Sequence, residues 1–481
     1  MRMAISFNLP SISSPLFLTK GERPVIPSLR SGQALSEARG TRAKRRTCFI
    51  FSQVKSNGYC KMTRTSLLAL FAFVAAGTLA AQSSKPVCAP DNAGLTLPTG
   101  FCALIVAESI GPARHMVVLE NGDLLVAVAG SRGGIRLLRD TTGDGKADIV
   151  RSFGVGAGTG IAFAGEYLYF ATNNTVVRWH WNIGQLEPPP TSGPDTVVSG
   201  LTMGRQHAAK SIAVGSDGQL YVNIGAPSNS CQVQDRAPES PGQDPCPLLD
   251  VAGGIWRFDP RRGNQTQLDG QRFVTGIRNA VALAVDPGTG ALFAAQHGRD
   301  QLAANWPKLY TDALSAELPA EEVFRLEAGG DYGWPYCYFD WRRRQKVLAP
   351  EYGGNGRTVG RCESVGRPVV AFPGHWAPDG MTFYNSRHFP LKYRGGLFIA
   401  FHGSWNRAPL PQAGYKVMFV PMARGVATGA PEVFADGFAG ATVTPQGARY
   451  RPTGVAVGPD GSLYVASDQG EGAVFRIVSL P

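Results

Sequence analysis

A unit of two alternating apolar strands joined by an Asp-Gly turn recurs along this chain and limits what it can fold into. The unit is clearest in residues 211–222 and 453–465. Asp-Gly between alternating apolar runs is typical of a tight hairpin, because the turn needs residues that tolerate a positive φ. Weaker copies begin near four further positions: His115, Ile161, Asn279 and Gly380. The chain is therefore predicted to consist of repeated antiparallel hairpins.

Most copies end in a second shared phrase, which places Arg among apolar and aromatic residues. Six such phrases are assigned to outer strands: residues 134–137, 177–179, 254–258, 323–326, 417–420 and 474–477. The 59 glycines and 35 prolines favour short strands joined by turns over long helices. Repeats of small antiparallel sheets indicate an all-β fold, a six-bladed β-propeller of four-stranded antiparallel blades. The alternative is a generic all-β protein whose strands resemble one another by chance.

The front of the chain differs from the rest. Residues 1–61 hold eleven basic and two acidic residues, so most of the net charge of +11 lies there and a general nucleic-acid-binding role is not expected. Residues 62–81 join a basic stretch, an apolar run and small residues, which is typical of a signal peptide. The run is too short to predict a stable membrane span, although an N-terminal anchor is the alternative. Residues 1–61 are then a disordered targeting extension or a start placed too early, and residues 82–481 form the propeller domain of a periplasmic or secreted protein.

Six cysteines follow the predicted signal peptide. They are Cys88, Cys102, Cys231, Cys246, Cys337 and Cys362. An even number in an exported domain favours disulfides. Neighbour pairing is one possible connectivity, and the sequence leaves the others open. No CxxC pair occurs, which weakens a zinc or redox interpretation.

Several polar side chains stand at junctions between loops and strands. His207 precedes the strand that begins at Ser211, where an imidazole could act as a general base or be a plain hydrogen-bonded residue. Arg278 precedes another strand and could stabilise developing negative charge or pair with an acid at the rim. Loops of a propeller gather at one mouth of the channel, so these side chains are predicted to converge there.

Six segments, taken in order, resemble the marker segments of one enzyme family. They are residues 205–210, 276–279, 296–302, 329–335, 402–407 and 449–451. They are similar to those of the soluble pyrroloquinoline-quinone (PQQ) sugar dehydrogenases and their sorbosone dehydrogenase relatives. The resemblance runs from about Leu97 to Ile477 and implies a six-bladed propeller that oxidises a sugar-type substrate with PQQ.

The resemblance implies a role for each matching residue. His207 would be the base and Arg278 would stabilise charge at the quinone, with Asn279 in support. The cofactor-binding residues would be Lys210, Arg278, Asn279, His402, Arg407, Arg449 and Arg451. Backbone carbonyls of Gly298 and Arg299 would bind a calcium ion. His115 and Trp376 would face the substrate, and electrons would leave to a separate acceptor because the chain has no CxxCH for haem.

One departure from the family concerns the predicted base. The sugar dehydrogenases have an acid that orients the catalytic histidine, and Ala226 stands in its place here. A base without that carboxylate should be less basic and less well oriented. This favours the sorbosone-like branch over efficient aldose oxidation. The alternatives are a non-enzymatic propeller that binds sugar or protein, and a calcium-dependent, lactonase-like hydrolase.

A second calcium site is suggested independently of the channel. Asp140, Thr142, Asp144 and Asp148 place oxygens at alternating positions around a glycine, as in the first part of an EF-hand loop. Arg151 stands at the twelfth position, where a bidentate Glu would be needed. The alternative is a simple Asp-Gly turn between two strands.

Overall fold

The computed structural model describes residues 86–154, 156–191 and 193–480. The predicted extension (residues 1–61) and signal peptide (residues 62–81) lie outside the described residues. Six sheets, five of four antiparallel strands and one in which a short parallel strand is added to four antiparallel ones, form a six-bladed β-propeller, which confirms the predicted fold class. The innermost strands of successive blades contact one another in a closed ring around a channel.

The strands follow the blades in chain order. The first strand is β1 (Phe101–Glu108), and blade one follows it: β2 (Ala113–Val118), β3 (Leu124–Val128), β4 (Gly134–Arg139) and β5 (Ile149–Phe153). Blade two has β6 (Gly158–Ala164), β7 (Tyr167–Thr172), β8 (Val176–His180) and β9 (Asp195–Ser199). Blade three has β10 (Ile212–Val214), β11 (Leu220–Ile224) and β12 (Gly254–Phe258), then β13 (Gln265–Thr266), which pairs with β9, and β14 (Gln271–Thr275).

The remaining blades carry the helices and extra hairpins. Blade four has β15 (Ala282–Val285), β16 (Leu292–Gln296), helices α1 (Leu302–Asn305) and α2 (Asp312–Glu317), β17 (Glu321–Arg325), a hairpin of β18 (Cys337–Asp340) and β19 (Gln345–Leu348), and β20 (Val370–Phe372). Blade five has β21 (Pro378–Phe383), β22 (Leu397–Phe401), β23 (Lys416–Val420), the small pair β24 (Met422–Ala423) and β25 (Val426–Ala427), and β26 (Glu432–Ala435). Blade six has β27 (Pro452–Val457), β28 (Leu463–Ser467) and β29 (Ala473–Ser479).

Short 3-10 helices occupy several loops. They are Asn92–Gly94, Pro247–Asp250, Gln267–Asp269, Pro350–Tyr352, Gly360–Glu363 and Leu391–Tyr393. In the described part of the chain, no helix has the length and apolar character that crossing a membrane requires.

The six shared phrases lie in the third strand of each blade, so their assignment to outer strands is wrong. For example, β12 pairs with β11 on one side and with β14 on the other. A third strand is paired along both edges and packed on both faces, so it needs the regular apolar pattern that identified it. The fourth strands form the outer edge and are more exposed, as Val150 in β5 and Val433 in β26 show.

The last blade is completed by the first strand of the propeller. β1 pairs antiparallel with β29, from Phe101 opposite Ser479 to Glu108 opposite Ala473. The Phe101 ring packs in edge-to-face contact with Phe389, at 4.7 Å between ring centroids. The sequence patterns did not identify β1, because its partner strand is more than 360 residues away.

The topology gathers selected loops at one mouth of the channel. Each inner strand begins, and each second strand ends, at the same end of its antiparallel blade. Residues before inner strands and after second strands therefore meet at this end, which we call the mouth. The inner strands line a cavity of about 420 Å³.

Three disulfides join the six cysteines as neighbours along the chain. They are Cys88–Cys102, Cys231–Cys246 and Cys337–Cys362. The last two lie in insertions that pack together at the mouth: the Trp334 indole donates to the Asn229 carbonyl at 3.0 Å. Each of these two insertions is thus closed by a disulfide of its own.

Candidate active site

His207 lies at the mouth, immediately before β10. Its backbone has a φ of 55°, a left-handed conformation that residues other than glycine adopt rarely. Its Nδ1 lies 2.5 Å from the carbonyl oxygen of Ala226. A carbonyl only accepts hydrogen bonds, so Nδ1 carries the proton and Nε2 keeps the lone pair. Burial, reinforced by the charge of Arg278, lowers the pKa of His207 to about 3, so the imidazole is neutral near neutral pH.

The carbonyl of Ala226 occupies the role for which a carboxylate was expected. Ala226 is fully buried, and its own N–H donates to the carbonyl of Arg278 at 2.8 Å. The preceding residue, Gly225, permits this packing: a Cβ there would lie 2.7 Å from both Asn279 Oδ1 and His207 Cβ. The missing acid therefore does not leave the imidazole without an orienting partner.

Arg278 is buried beside this pair, and its guanidinium donates to backbone and side-chain oxygens. Nη1 donates to the Gly298 carbonyl at 2.9 Å, Nε to the Asn229 carbonyl at 3.1 Å, and Nη2 to Asn229 Oδ1 at 3.0 Å. Nη2 also lies 3.1 Å from Asp300 Oδ2. These contacts hold the planar fork in one orientation at the mouth.

Asp300 is the centre of this polar cluster, and the sequence patterns did not single it out. Its carboxylate accepts from Arg278 and Arg236, each at 3.1 Å, and from Asn406 Nδ2 at 3.0 Å. His375 Nδ1 lies 3.6 Å away. Burial opposes ionisation, but Arg278 and the other cationic neighbours hold the pKa of Asp300 well below its usual range. Its place within the 296–302 marker segment was the available signal.

A second charged network spans the mouth between blades one, four, five and six. Arg114 lies 3.1 Å from Asp379 and donates to Asp468 at 2.6 Å. His297 Nε2 lies 3.0 Å from Asp379, and His402 Nε2 lies 2.8 Å from Asp468. Burial opposes protonation of His297, but its hydrogen bond to Asp379 raises its pKa. The sequence offered one signal for Arg114. It directly precedes the repeat copy that begins near His115, as Arg278 precedes the copy that begins near Asn279.

The two predicted substrate residues lie near this network but are already engaged. His115 Nε2 lies 2.7 Å from the carbonyl oxygen of Asp379, and burial lowers its pKa to about 4. Trp376 is half-buried and packs against Phe401 and Phe372, with ring centroids 5.5 and 6.3 Å away. Both side chains therefore already contact protein groups.

The predicted cofactor-binding residues separate into two groups. Lys210 is buried, its ammonium donates to the Ala208 carbonyl at 2.7 Å, and burial lowers its pKa to about 8. Arg451 donates to the carbonyls of His402 and Gly403 at 3.1 and 2.7 Å. Neither forms an ion pair with an acid among the described residues. Buried or half-buried cations without a carboxylate partner suit an anionic ligand.

The other two arginines are placed differently. Arg407 is buried, pairs with Glu317, and donates to the carbonyls of Ala316 and Gly374 at 2.7 and 2.8 Å. Arg449 is exposed and lies over the Tyr450 ring, 5.0 Å from its centroid. Asn279 is buried and accepts from Asn223 at 3.1 Å. Arg407 is therefore already paired with an acid and Arg449 is exposed, whereas Lys210 and Arg451 contact backbone carbonyls.

The predicted calcium ligands show limited capacity for a cation. The Gly298 carbonyl already accepts from the guanidinium of Arg278, whose positive charge opposes a cation there. In the distant loop, Asp140 accepts from the N–H groups of Gly143 and Gly145 at 2.6 and 2.7 Å, as expected for the turn alternative. Residues 86–154, 156–191 and 193–480 contain no group of three or more His, Cys, Asp or Glu side chains that could hold a metal ion.

Comparison with known proteins places this architecture in a family. A family model described as TrAA12-like matches residues 95–479. A pyrroloquinoline quinone-dependent pyranose dehydrogenase of Coprinopsis cinerea is 30% identical over 237 residues, which cover 42% of this chain and 30% of that protein. An aldose sugar dehydrogenase of Escherichia coli is 28% identical over 202 residues, 42% of each chain. The chain thus spans less than half the length of the curated relatives it matches.

A solved structure supports the same fold. The iodide structure of the Trichoderma reesei Carbohydrate-Active Enzymes Family AA12 protein superposes with a TM-score of 0.66 at 20% identity, covering 80% of this chain and 98% of that chain. At this identity the likeness concerns the fold alone. The match of one family model to nearly the whole propeller shows that this chain belongs to the TrAA12-like family, which confirms the resemblance to soluble PQQ sugar dehydrogenases.

Proposed function

We propose that this chain is a PQQ-dependent oxidoreductase that oxidises a hydroxyl or aldehyde group of a sugar or sugar-derived substrate. The observation that carries the proposal is the 2.5 Å contact between His207 Nδ1 and the Ala226 carbonyl. It leaves Nε2 as a proton acceptor at the mouth, beside the buried guanidinium of Arg278. A neutral, oriented imidazole next to a fixed cation suits proton removal from a hydroxyl whose oxygen gains negative charge.

His207 acts as the base in this proposal. Nε2 takes the proton from the substrate hydroxyl, and the Nδ1 proton remains on the Ala226 carbonyl, whose dipole stabilises the imidazolium that forms. The positive charge of Arg278 stabilises the developing negative charge, and Asn229 and Asp300 hold its guanidinium in place. Because this cation is fixed before substrate arrives, little reorganisation accompanies the reaction.

Lys210 and Arg451 are the residues proposed to hold the cofactor. Their positive charges lack carboxylate partners in the described part of the chain, so they fit the carboxylates of PQQ. When bound, PQQ would supply a two-electron acceptor for the hydride that leaves the substrate carbon. Asn279 is proposed to support Arg278, while Arg407 and Arg449 are less suited because one is fully paired and the other is exposed.

Of the two predicted calcium sites, only the one at the mouth is kept in this proposal. The carbonyls of Gly298 and Arg299 are two hard oxygen donors, but the guanidinium of Arg278 beside Gly298 would repel a cation unless an anionic cofactor were also present. The chain's own residues therefore do not make a complete calcium site, and no catalytic step is assigned to a metal.

Export is proposed from the three disulfides, which form and persist in oxidising compartments. The protein would then act in the periplasm or outside the cell, on a small sugar-type molecule, and pass its electrons to a separate carrier. A sorbosone-like substrate stays within the proposal, as does an aldose, since the Ala226 carbonyl substitutes for the orienting acid.

The test uses residues 82–481 after treatment with chelator. PQQ is titrated with and without calcium and its absorbance followed, and then aldoses and sorbosone are added with a dye acceptor. Saturable binding followed by sugar-dependent dye reduction is expected, with reduction lost in His207→Ala and kept in His388→Ala, whose exposed imidazole lies at the opposite end. No PQQ binding under either condition would contradict the proposal.

A further inference from the structure

Lys346 in β19 and Glu322 in β17 form an ion pair inside the protein, 2.8 Å apart, with each side chain only 2% exposed. Removing two charges from water costs free energy that their mutual attraction often fails to recover, so a buried pair is weak evidence of added stability. Although burial raises the pKa of Glu322, the adjacent ammonium favours its ionised form. The pair takes no part in the chemistry proposed above, and its hydrogen bonds indicate another role.

A line of buried hydrogen bonds leads from this pair to the backbone of Arg278. The Gln296 amide Nε2 donates to Glu322 Oε1 at 3.0 Å, and Gln296 Oε1 accepts from the Arg278 N–H at 2.9 Å. A carboxylate can only accept hydrogen bonds, so the charge of Glu322 fixes which end of the Gln296 amide faces it. The carbonyl end of that amide is then turned toward the Arg278 N–H.

A second route leads from Lys346 to the residues just before Arg278. The ammonium of Lys346 donates to the Tyr332 carbonyl at 2.6 Å, and the Tyr332 N–H donates to the Thr275 carbonyl at 3.0 Å. Gly276 permits this close approach, because a Cβ there would lie 2.7 Å from the Tyr332 nitrogen. The chain on the N-terminal side of Arg278 is therefore held by the same lysine.

Beyond Arg278 the line of hydrogen bonds continues to the proposed base. The Arg278 carbonyl accepts from the Ala226 N–H at 2.8 Å, and the Ala226 carbonyl oxygen lies 2.5 Å from His207 Nδ1. A shift of the Arg278 peptide would therefore move the guanidinium and the partner of the imidazole together. A displacement of catalytic groups by about 1 Å can slow a reaction about 100-fold.

We propose that Lys346 and Glu322 are positioning residues, which hold the peptide of Arg278 so that Arg278 and His207 keep their arrangement at the mouth. The inference rests on the proposed oxidation and extends it, because it assigns part of the control of that reaction to a pair of charges behind the site. Both residues act through Gln296 and the Tyr332 carbonyl, without contact to the substrate.

Hydrogen exchange tests the inference in the cofactor-free protein, without any turnover. In Glu322→Gln the Gln296 amide can turn either way, so the Arg278 N–H should exchange about tenfold faster, as expected when a hydrogen bond is lost. This variant leaves Lys346 buried without its partner, so the decisive variant is the double one, Glu322→Gln with Lys346→Met. It leaves no buried charge unpaired and should keep near-wild-type stability in urea while showing the same faster exchange.

The matched control carries the same two substitutions in an exposed ion pair. Lys392 and Glu432 lie 3.0 Å apart, with side chains 54% and 51% exposed. Glu432→Gln with Lys392→Met should leave the exchange of the Arg278 N–H and the rate of dye reduction unchanged.

Dye reduction by the PQQ-loaded protein supplies the second readout. The double variant of Glu322 and Lys346 should lower kcat by about 10–100-fold and change KM little, because it displaces groups that act in the reaction. Wild-type kcat, or unchanged exchange of the Arg278 N–H, in this variant would overturn the inference. If the wild type oxidises no sugar, the proposed function fails, and the exchange measurement still decides whether the pair holds the Arg278 peptide.

Discussion

At the scale of single residues, the charge state of the histidines is set by what each ring touches. His207 and His115 donate to or contact backbone carbonyls next to arginines, and burial lowers their pKa values to about 3 and about 4. His297 and His375 contact Asp379 and Asp300, and although burial opposes protonation, these carboxylates raise their pKa values. One mouth thus holds neutral and protonated imidazoles side by side.

Direct titration should separate these two kinds of histidine. In NMR spectra of the cofactor-free protein, His207 and His115 should stay neutral from pH 8 to about pH 5, and His297 and His375 should stay charged above the ordinary pKa of about 6.5. The raised pKa values of His297 and His375 stabilise the fold fully below the pKa of the unfolded chain, and this stability is lost as pH rises through the folded pKa. The lowered pKa values of His207 and His115 reduce stability as pH falls below about 6.5. Titration of His207 near pH 6.5 would contradict its burial against Ala226.

Replacing the proposed base should affect turnover and spare cofactor binding. His207→Ala should lower kcat by about 10²–10⁴-fold, the usual contribution of general-base catalysis. Its affinity for PQQ, measured by absorbance titration, should change little. Loss of PQQ binding together with turnover would assign His207 a cofactor-holding role instead.

The two arginines of the last marker segment should differ in their effects. Arg451→Ala should weaken PQQ binding about tenfold or more, since it removes a charge-assisted contact. Arg449→Ala should change the affinity by about twofold at most, as is usual for an exposed charge. Equal losses in the two variants would show that Arg449 turns toward the cofactor when it binds.

At the scale of elements, the site depends on how closely β11 and the chain before β10 approach. Gly225 follows β11, and the space its missing side chain leaves is filled by His207 and Asn279. The two disulfide-linked insertions then cover the site from outside. Strand pairing positions the backbone, and glycine allows the side chains to meet.

A methyl group at this contact should separate the base from its partner. Gly225→Ala should destabilise the fold by about 1–3 kcal/mol, as overpacking of a tight contact does, and should lower kcat. Gly193→Ala is the control, because a Cβ there meets nothing within 4 Å, and it should change stability by less than about 0.5 kcal/mol. Urea denaturation and dye reduction measure the two effects. Wild-type kcat in Gly225→Ala would mean that the contact does not orient His207.

At the scale of the whole molecule, the ring of blades is closed by the two ends of the described chain. β1 and β29 form one edge of blade six, and the Phe101 ring contacts Phe389, Tyr393 and Phe434. Closure in this way covers the outer edge of β29 and ties blade six to blade five.

Weakening this closure should lower the stability of the entire propeller. Phe101→Ala should cost about 3–5 kcal/mol, the usual range for a buried phenylalanine. Val150→Ala, in the outer strand β5 and 43% exposed, is the control and should cost less than about 0.5 kcal/mol. The free energy of unfolding from urea denaturation decides the comparison. Equal, small effects would show that β1 is not required for closure.

The sequence by itself determined the blades, because hairpins are local: alternating apolar residues and Asp-Gly turns specify strands and register over about a dozen residues. It also predicted His207 and Arg278 as site residues, since each stands at a loop-to-strand junction, and the family resemblance added Lys210 and Arg451 to that prediction. Tertiary structure alone decided which partners they meet. The Ala226 carbonyl beside His207, the Asp300 cluster and the pairing of β1 with β29 join residues from 19 to more than 360 positions apart. Such contacts depend on how blades pack around the channel, and no local pattern of residues encodes that distance.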